Sequence, residues 1–211
     1  MPLVSERRRP VAEFRLAVAP TMPGATVAKD IQRQIERVAA EAADAGAAVK
    51  ARLPEIDWEG LYGLYGDLLM TVTGVFDPTA HVPEEHRSLA WYLGALDRRD
   101  RFVTSWEGFF SDLDALIMPP AVTTAFTHRE PGASLNVDGT EIEYGGNGGP
   151  LVIFNLTGQA ALVVPAGLDQ DGLPIGIQIV GPRWSEMRLL AIARALEEAG
   201  ILPGFRPPPG Y

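Results

Sequence analysis

Cysteine is absent from the 211-residue sequence, which excludes disulfides, thiolate catalysis and Cys-ligated zinc and fits a reducing, cytoplasmic setting. Lysine occurs only at Lys29 and Lys50, and histidine only at His81, His86 and His128. Serines stand at Ser5, Ser88, Ser105, Ser111, Ser134 and Ser185, with no two adjacent. No apolar run approaches the roughly 20 residues needed to cross a bilayer, so no membrane role is expected. Met1 to Arg9 is charged without a following apolar stretch, and export is therefore not expected either. Positive charge is scarce as well: the net charge of −9 opposes the counterion exchange that drives nucleic-acid binding. Basic clusters exist at Arg7–Arg9 and at Arg98, Arg99 and Arg101, but Asp97 and Asp100 interrupt the second, which reads as a solvated helix face.

What is present suffices for a core. With 46% hydrophobic and 21% charged residues, the composition fits one α/β domain over 1–211, with tails at 1–12 and 203–211. Phe14 to Ala19 reads as a strand closed by Pro20. Ile31, Ile35, Val38 and Ala42 recur at helical spacing up to a stop at Gly46. A short run, Val49 to Leu53, precedes a second helix with Leu61, Leu64 or Tyr65, Leu68, Val72 and Val75 on one side and a stop at Pro78. Gly60, Gly63 and Gly66 in that helix suggest close approach by another element. The next helix is read from Pro83, Glu84 and Glu85 through Trp91, Leu96 and Phe102 toward Phe110. Tyr62, Tyr65, Trp91 and Trp106 read as core residues rather than a stacking platform.

Ala115 to Met118 is wholly apolar, as expected of a strand buried on both faces. Leu135 to Tyr144 alternates around Asp138-Gly139, a hairpin signal, and reads as a small exposed ribbon. Ala161 to Pro165 and Ile175 to Val180, joined through Asp169 to Gly172, predict an antiparallel pair within a larger mixed sheet flanked by helices. Ser185 is positioned to cap a last helix in which Leu189 packs back on Trp184, Met187, Leu190 and Leu196 face the core, and Gly200 ends the element.

The stretch Phe154-Asn-Leu-Thr-Gly-Gln-Ala-Ala-Leu-Val-Val-Pro-Ala-Gly167, with Asp171-Gly-Leu-Pro-Ile-Gly-Ile-Gln-Ile-Val-Gly-Pro182, resembles the carboxy-terminal signature of the amidase signature family. The strand from Phe14, the helix ending at Gly46 and Asp114 to Pro120 resemble segments that follow the family's nucleophile region. Ala160 stands where family members usually carry proline. The resemblance implies a partial amidase signature α/β sandwich and hydrolysis of carbon–nitrogen amide bonds through an acyl-enzyme. It implies that the lysine and two serines of that chemistry, one of them in a cis Ser-Ser peptide, lie amino-terminal to everything matched here. This chain is then expected to be a truncated or pseudoenzyme form, inactive alone, with no catalytic residue of its own.

The same resemblance places the segment Phe154 to Gln159, read as a loop, near the substrate cleft, making Asn155, Thr157 and Gln159 candidate substrate-binding residues. A polar loop satisfying its own backbone is the alternative. The expected partners are a second copy or a catalytic amidase half, with a small-molecule amide as ligand once complemented. A non-catalytic regulatory protein built on the amidase scaffold remains the alternative function. No cofactor and no metal are expected: His81 and His86 with Glu84 and Glu85 read as helix-entry charge, Gly145 to Gly149 as a flexible loop rather than an anion cradle, and a Ser105, His86 and Asp97 triad would need a tertiary accident.

Overall fold

A computed structural model describes residues 6–74, 77, 79, 82–130 and 132–204. The positions expected at Val75, Pro78 and His81, residues 1–5 of the first proposed tail and residues 205–211 of the second lie outside the described residues. Within the first proposed tail, Val11 is buried and Arg9 pairs with a buried carboxylate, so this part of it belongs to the packed body.

Five strands form one mixed sheet: β1 (Arg15–Val18), β2 (Ala48–Ala51), β3 (Ala115–Met118), β6 (Ala160–Leu168) and β7 (Pro174–Gly181), in the order β2-β1-β3-β7-β6. β1 runs parallel to β2 and β3, whereas β7 is antiparallel to both β3 and β6. The parallel β1–β2 pair needs a crossover, supplied by helix α1 (Lys29–Asp44). Its buried stripe is Ile31, Ile35, Val38, Ala39 and Ala42, and Gly46 at φ 95° ends it where a Cβ would stand 2.9 Å from that of Ala12.

One sheet face packs on α1 and on α5 (Glu186–Glu198), enclosing Leu16, Ile117, Ile177, Ile179, Leu189 and Ile192. The opposite face, with Ala17, Leu116, Met118 and Val180, packs on α2 (Trp58–Gly74), α3 (Leu89–Phe109) and α4 (Gly149–Thr157). Trp106 is fully buried in this second core, ringed by Phe109, Phe110 and Phe154 at centroid distances of 5.6, 5.9 and 5.2 Å. Trp106 is thus a packing residue.

Several expectations are corrected. Helix α3 starts after Ser88, whose hydroxyl oxygen accepts the Trp91 N–H; Glu84–Arg87 form a separate 3₁₀ turn. In α2, Leu61 and Leu64 are buried but Val72 is exposed, with Thr71 turned inward instead. No atom comes within 4 Å of a Cβ at Gly63 or Gly66, and the one at Gly60 meets only Asp57, which caps its own helix turn; the glycine spacing marks no close approach.

The hairpin β4 (Leu135–Val137) and β5 (Thr140–Ile142) forms around Asp138 and Gly139, both at positive φ. It is not merely an exposed ribbon, because Leu135 and Val137 are buried and the Asp138 carboxylate accepts the Lys29 N–H at 2.7 Å. The hairpin therefore caps α1, whose own preceding residue, Ala28, has no side chain able to do so. At α5, Leu189 is buried but Trp184 is 82% exposed, so they form no staple, and Leu190 faces solvent. The Ser185 hydroxyl donates to the Pro182 carbonyl rather than accepting from the helix.

Asp114 fastens the amino-terminal segment to the sheet. It accepts the Arg15 N–H at 2.9 Å and pairs with Arg9 at 3.2 Å. Burial pushes its carboxyl up, but the Arg15 N–H and the Arg9 guanidinium outweigh burial and leave it below the ordinary 3.8. A depressed folded pKa contributes stability that is complete above 3.8 and is lost as pH falls through the folded value. Melts of the wild type and Asp114→Asn should differ most near neutral pH and converge below pH 3.8; a gap constant with pH would contradict this account.

Candidate functional site

The segment carrying Asn155, Thr157 and Gln159 is helical up to Thr157, not a loop. Pro150 in the first turn of α4 and Gly158 at φ 77° just past its end are the start and stop that a helix requires, and Ile153, Phe154 and Leu156 anchor it in the second core. These two signals were available in the sequence. Gly145 to Gly148 is likewise a 3₁₀ turn rather than a flexible loop, and Asn147 ties it to the Val122 and Thr123 N–H groups.

Because the three candidates span a helix end, they face different surroundings. Asn155 is exposed at the rim of a groove of about 400 Å³ between α2 and α3, walled by Tyr65, Leu68, Val72, Tyr92 and Leu96, with Arg99 the charged residue lining it. Thr157 is buried and donates its hydroxyl to the Ile153 carbonyl one turn earlier, so it serves its own helix. Gln159 is 6% exposed, and neither its amide nitrogen nor its amide oxygen has a partner among the described residues. The structure thus brings none of the three to a common point. Asn155 alone combines exposure with an apolar recess, the usual pattern of a small-molecule site.

Two features beside Gln159 carried no sequence signal. Arg183 lies over the helix end, its Nε 3.7 Å from a Cβ built on Gly158, and its guanidinium stands 5.8 Å from the Trp184 ring. Trp184 holds φ at 66°, a conformation costly for a bulky residue. Tyr62, elsewhere in the second core, also has a hydroxyl without a partner, and burial pushes its pKa up.

The described serines are engaged locally. Ser88 caps α3, Ser105 donates to the Arg101 carbonyl, Ser111 to that of Gly108, Ser134 to Glu141, and Ser185 to that of Pro182. Lys29 opens α1 and Lys50 lies in the edge strand β2; no serine–lysine hydrogen bond occurs among the described residues. The Ser105, His86 and Asp97 combination is not assembled: Asp97 pairs with Arg101, and His86 stacks on Trp91 at 4.0 Å. Among the described residues no three His, Asp or Glu side chains cluster to hold a metal, and no helix is long and apolar enough to cross a membrane.

Comparison with known proteins gives one family. The amidase family model matches residues 66–190. A glutamyl-tRNA(Gln) amidotransferase subunit of Halothermothrix orenii is 36% identical over 118 residues, which are 56% of this chain and 23% of that protein. Among solved structures, a fatty acid amide hydrolase superposes with a TM-score of 0.76 at 12% identity, over 95% of this chain and 42% of that one. The corresponding glutamyl-tRNA(Gln) amidotransferase subunit of Thermotoga maritima gives 0.70 at 20% identity, over 92% and 45%. This chain thus spans less than half the length of each of these relatives, and the structural likenesses establish the mixed α/β fold.

An apolar residue of matching size at Gln159 removes the cost of two unpaired amide atoms. Gln159→Met should raise stability in urea by about 1 kcal/mol or more; a loss of stability would reveal a partner for the amide.

Proposed function

We propose, on the footing that this chain belongs to the amidase family, that it supplies part of the amide-recognition surface of a carbon–nitrogen hydrolase and does not cleave amides alone. The observation that carries this reading is the placement of Asn155 on α4, exposed beside an apolar groove and within the matched segment. A side-chain amide at such a rim can donate to the carbonyl or accept from the N–H of a substrate amide while the groove takes its apolar acyl part.

Formation of an acyl-enzyme needs a hydroxyl and a base within reach to take its proton. The local engagement of the described serines, with no serine–lysine hydrogen bond among the described residues, supports assigning this pair to a separate catalytic amidase half. Asn155 orients substrate, with Thr157 holding α4 through its bond to the Ile153 carbonyl. The partner half adds nucleophile and base. The setting is a soluble, cytoplasmic complex.

The purified chain should neither turn over simple aromatic or aliphatic amides nor be labelled by a serine-reactive fluorophosphonate. Co-expression with an amidase chain carrying the lysine and Ser-Ser stretch should give turnover, with Asn155→Ala raising KM about fivefold, the value of one hydrogen bond, at nearly unchanged kcat. A covalent adduct on the isolated chain, or an unchanged KM in the variant, would defeat the reading.

A further inference from the structure

We infer that the recess between α2 and the loop leaving β1 is a binding site for a small organic ammonium ion, held by the rings of Trp58 and Tyr62 and the carboxylate of Glu59. The site shares no residue with the groove beside Asn155, and the inference does not depend on amide cleavage. The recess has a volume of about 570 Å³ and is lined by Pro23, Gly24, Trp58, Glu59, Tyr62 and Gly63. That volume lies in the ordinary range of small-molecule sites. Its walls all belong to this chain, so no incoming chain is needed to complete it, in contrast to the open edge of β6.

The sequence Trp58-Glu-Gly-Leu-Tyr-Gly63 builds the helical wall. Residues four apart share a row on a helix, so Trp58 and Tyr62 form an aromatic row, with Glu59 and Gly63 in the row beside it. Trp58 meets the fully buried Trp106 edge to face, with ring centroids 6.1 Å apart and planes at 85°, and the second core thereby holds its orientation. The Tyr62 hydroxyl is buried, so what this residue offers the recess is its ring. Burial also pushes the Tyr62 pKa up, which keeps the phenol uncharged at neutral pH. A tight turn supplies the opposite wall. Its Ala25 N–H donates to the Met22 carbonyl at 3.2 Å, Met22 is buried, and Pro23 and Gly24, the latter at φ 75°, occupy the central positions that a type II turn favours. A Cβ on Gly24 would stand 3.7 Å from Cε2 of Tyr62, whereas one on Gly63 would meet nothing within 4 Å. Glycine weakens a helix interior, and no neighbour requires it at Gly63; its bare side leaves the space that the recess occupies.

The chemistry of this lining selects a cation. Among the described residues Glu59 alone lines the recess with charge, and it forms no ion pair there. An anionic ligand would therefore meet an unpaired carboxylate and no counter-charge. A neutral apolar ligand would use the rings but leave the carboxylate unanswered. An alkylammonium ion uses both: its nitrogen-bound methyl or methylene groups carry positive charge onto the aromatic faces, and its charge is balanced by Glu59. The positive end of α2 does not oppose this, because the Asp57 carboxylate already accepts the Gly60 N–H at 2.9 Å. The net charge of −9 further raises the local concentration of cations and lowers that of anions.

Choline serves as the probe, with the whole chain in solution. Titration should shift the indole N–H resonance of Trp58, identified by its loss in Trp58→Phe, along a saturable curve. The alcohol in which carbon replaces the choline nitrogen has the same shape without the charge, and should bind about tenfold or more weakly. Glu59→Gln should weaken choline binding about threefold, as expected for one partly solvated charge pair. Gly63→Leu, whose side chain fills the recess, should abolish binding. Because leucine is the better helix former and a Cβ at this position meets no neighbour, the same variant should melt no lower than the wild type, which separates blocking from unfolding. Absence of a saturable shift, equal binding of the uncharged alcohol, or choline binding undiminished in Glu59→Gln or Gly63→Leu overturns the inference.

Discussion

The pairing of β3 with β1 on one edge and β7 on the other holds the molecule together. Ala115 and Ile117 enter the core beneath α1, and Leu116 and Met118 enter the core beneath α2, α3 and α4. All four residues are fully buried, so a slip of one residue would exchange the contents of the two cores. The strand direction also reverses here, from the parallel β1 side to the antiparallel β7 side. Asp114, immediately before β3, reinforces the arrangement by tying Arg9 and Arg15 to the strand's start.

From that centre the covering of the sheet is unequal. The α1 and α5 layer underlies β6 and β7, but the opposite helices give out before β6. The unpaired amides of Gln159 and Gln178 and the exposed Val163 belong to this boundary. The likeness to amidase structures extends over nearly all of this chain and less than half of theirs.

Much of the fold was legible. The alternation around Asp138-Gly139, the i, i+4 spacing from Ile31 to Gly46 and the uncharged run from Ala115 to Met118 each became the element expected, because period and punctuation act locally. The helix at Gly149–Thr157 is bracketed by Pro150 and Gly158, but its polar Asn155 and Thr157, with Gln159 just beyond, give it the look of a loop in sequence. The candidate site suffered most from this: on a helix the three side chains separate, and only Asn155 reaches a groove.

The sequence by itself determined the family resemblance, the order and type of most elements, and the lack of cysteine and of adjacent serines, since these are properties of residues and their near neighbours. Tertiary structure alone decided which sheet face each helix covers, that Asp138 caps α1 from 109 residues away, that Trp184 stands in solvent at positive φ, and that the amides at Gln159 and Gln178 go unpaired. Those outcomes depend on contacts between segments distant in the chain, and such contacts leave no periodic trace in the segments that make them.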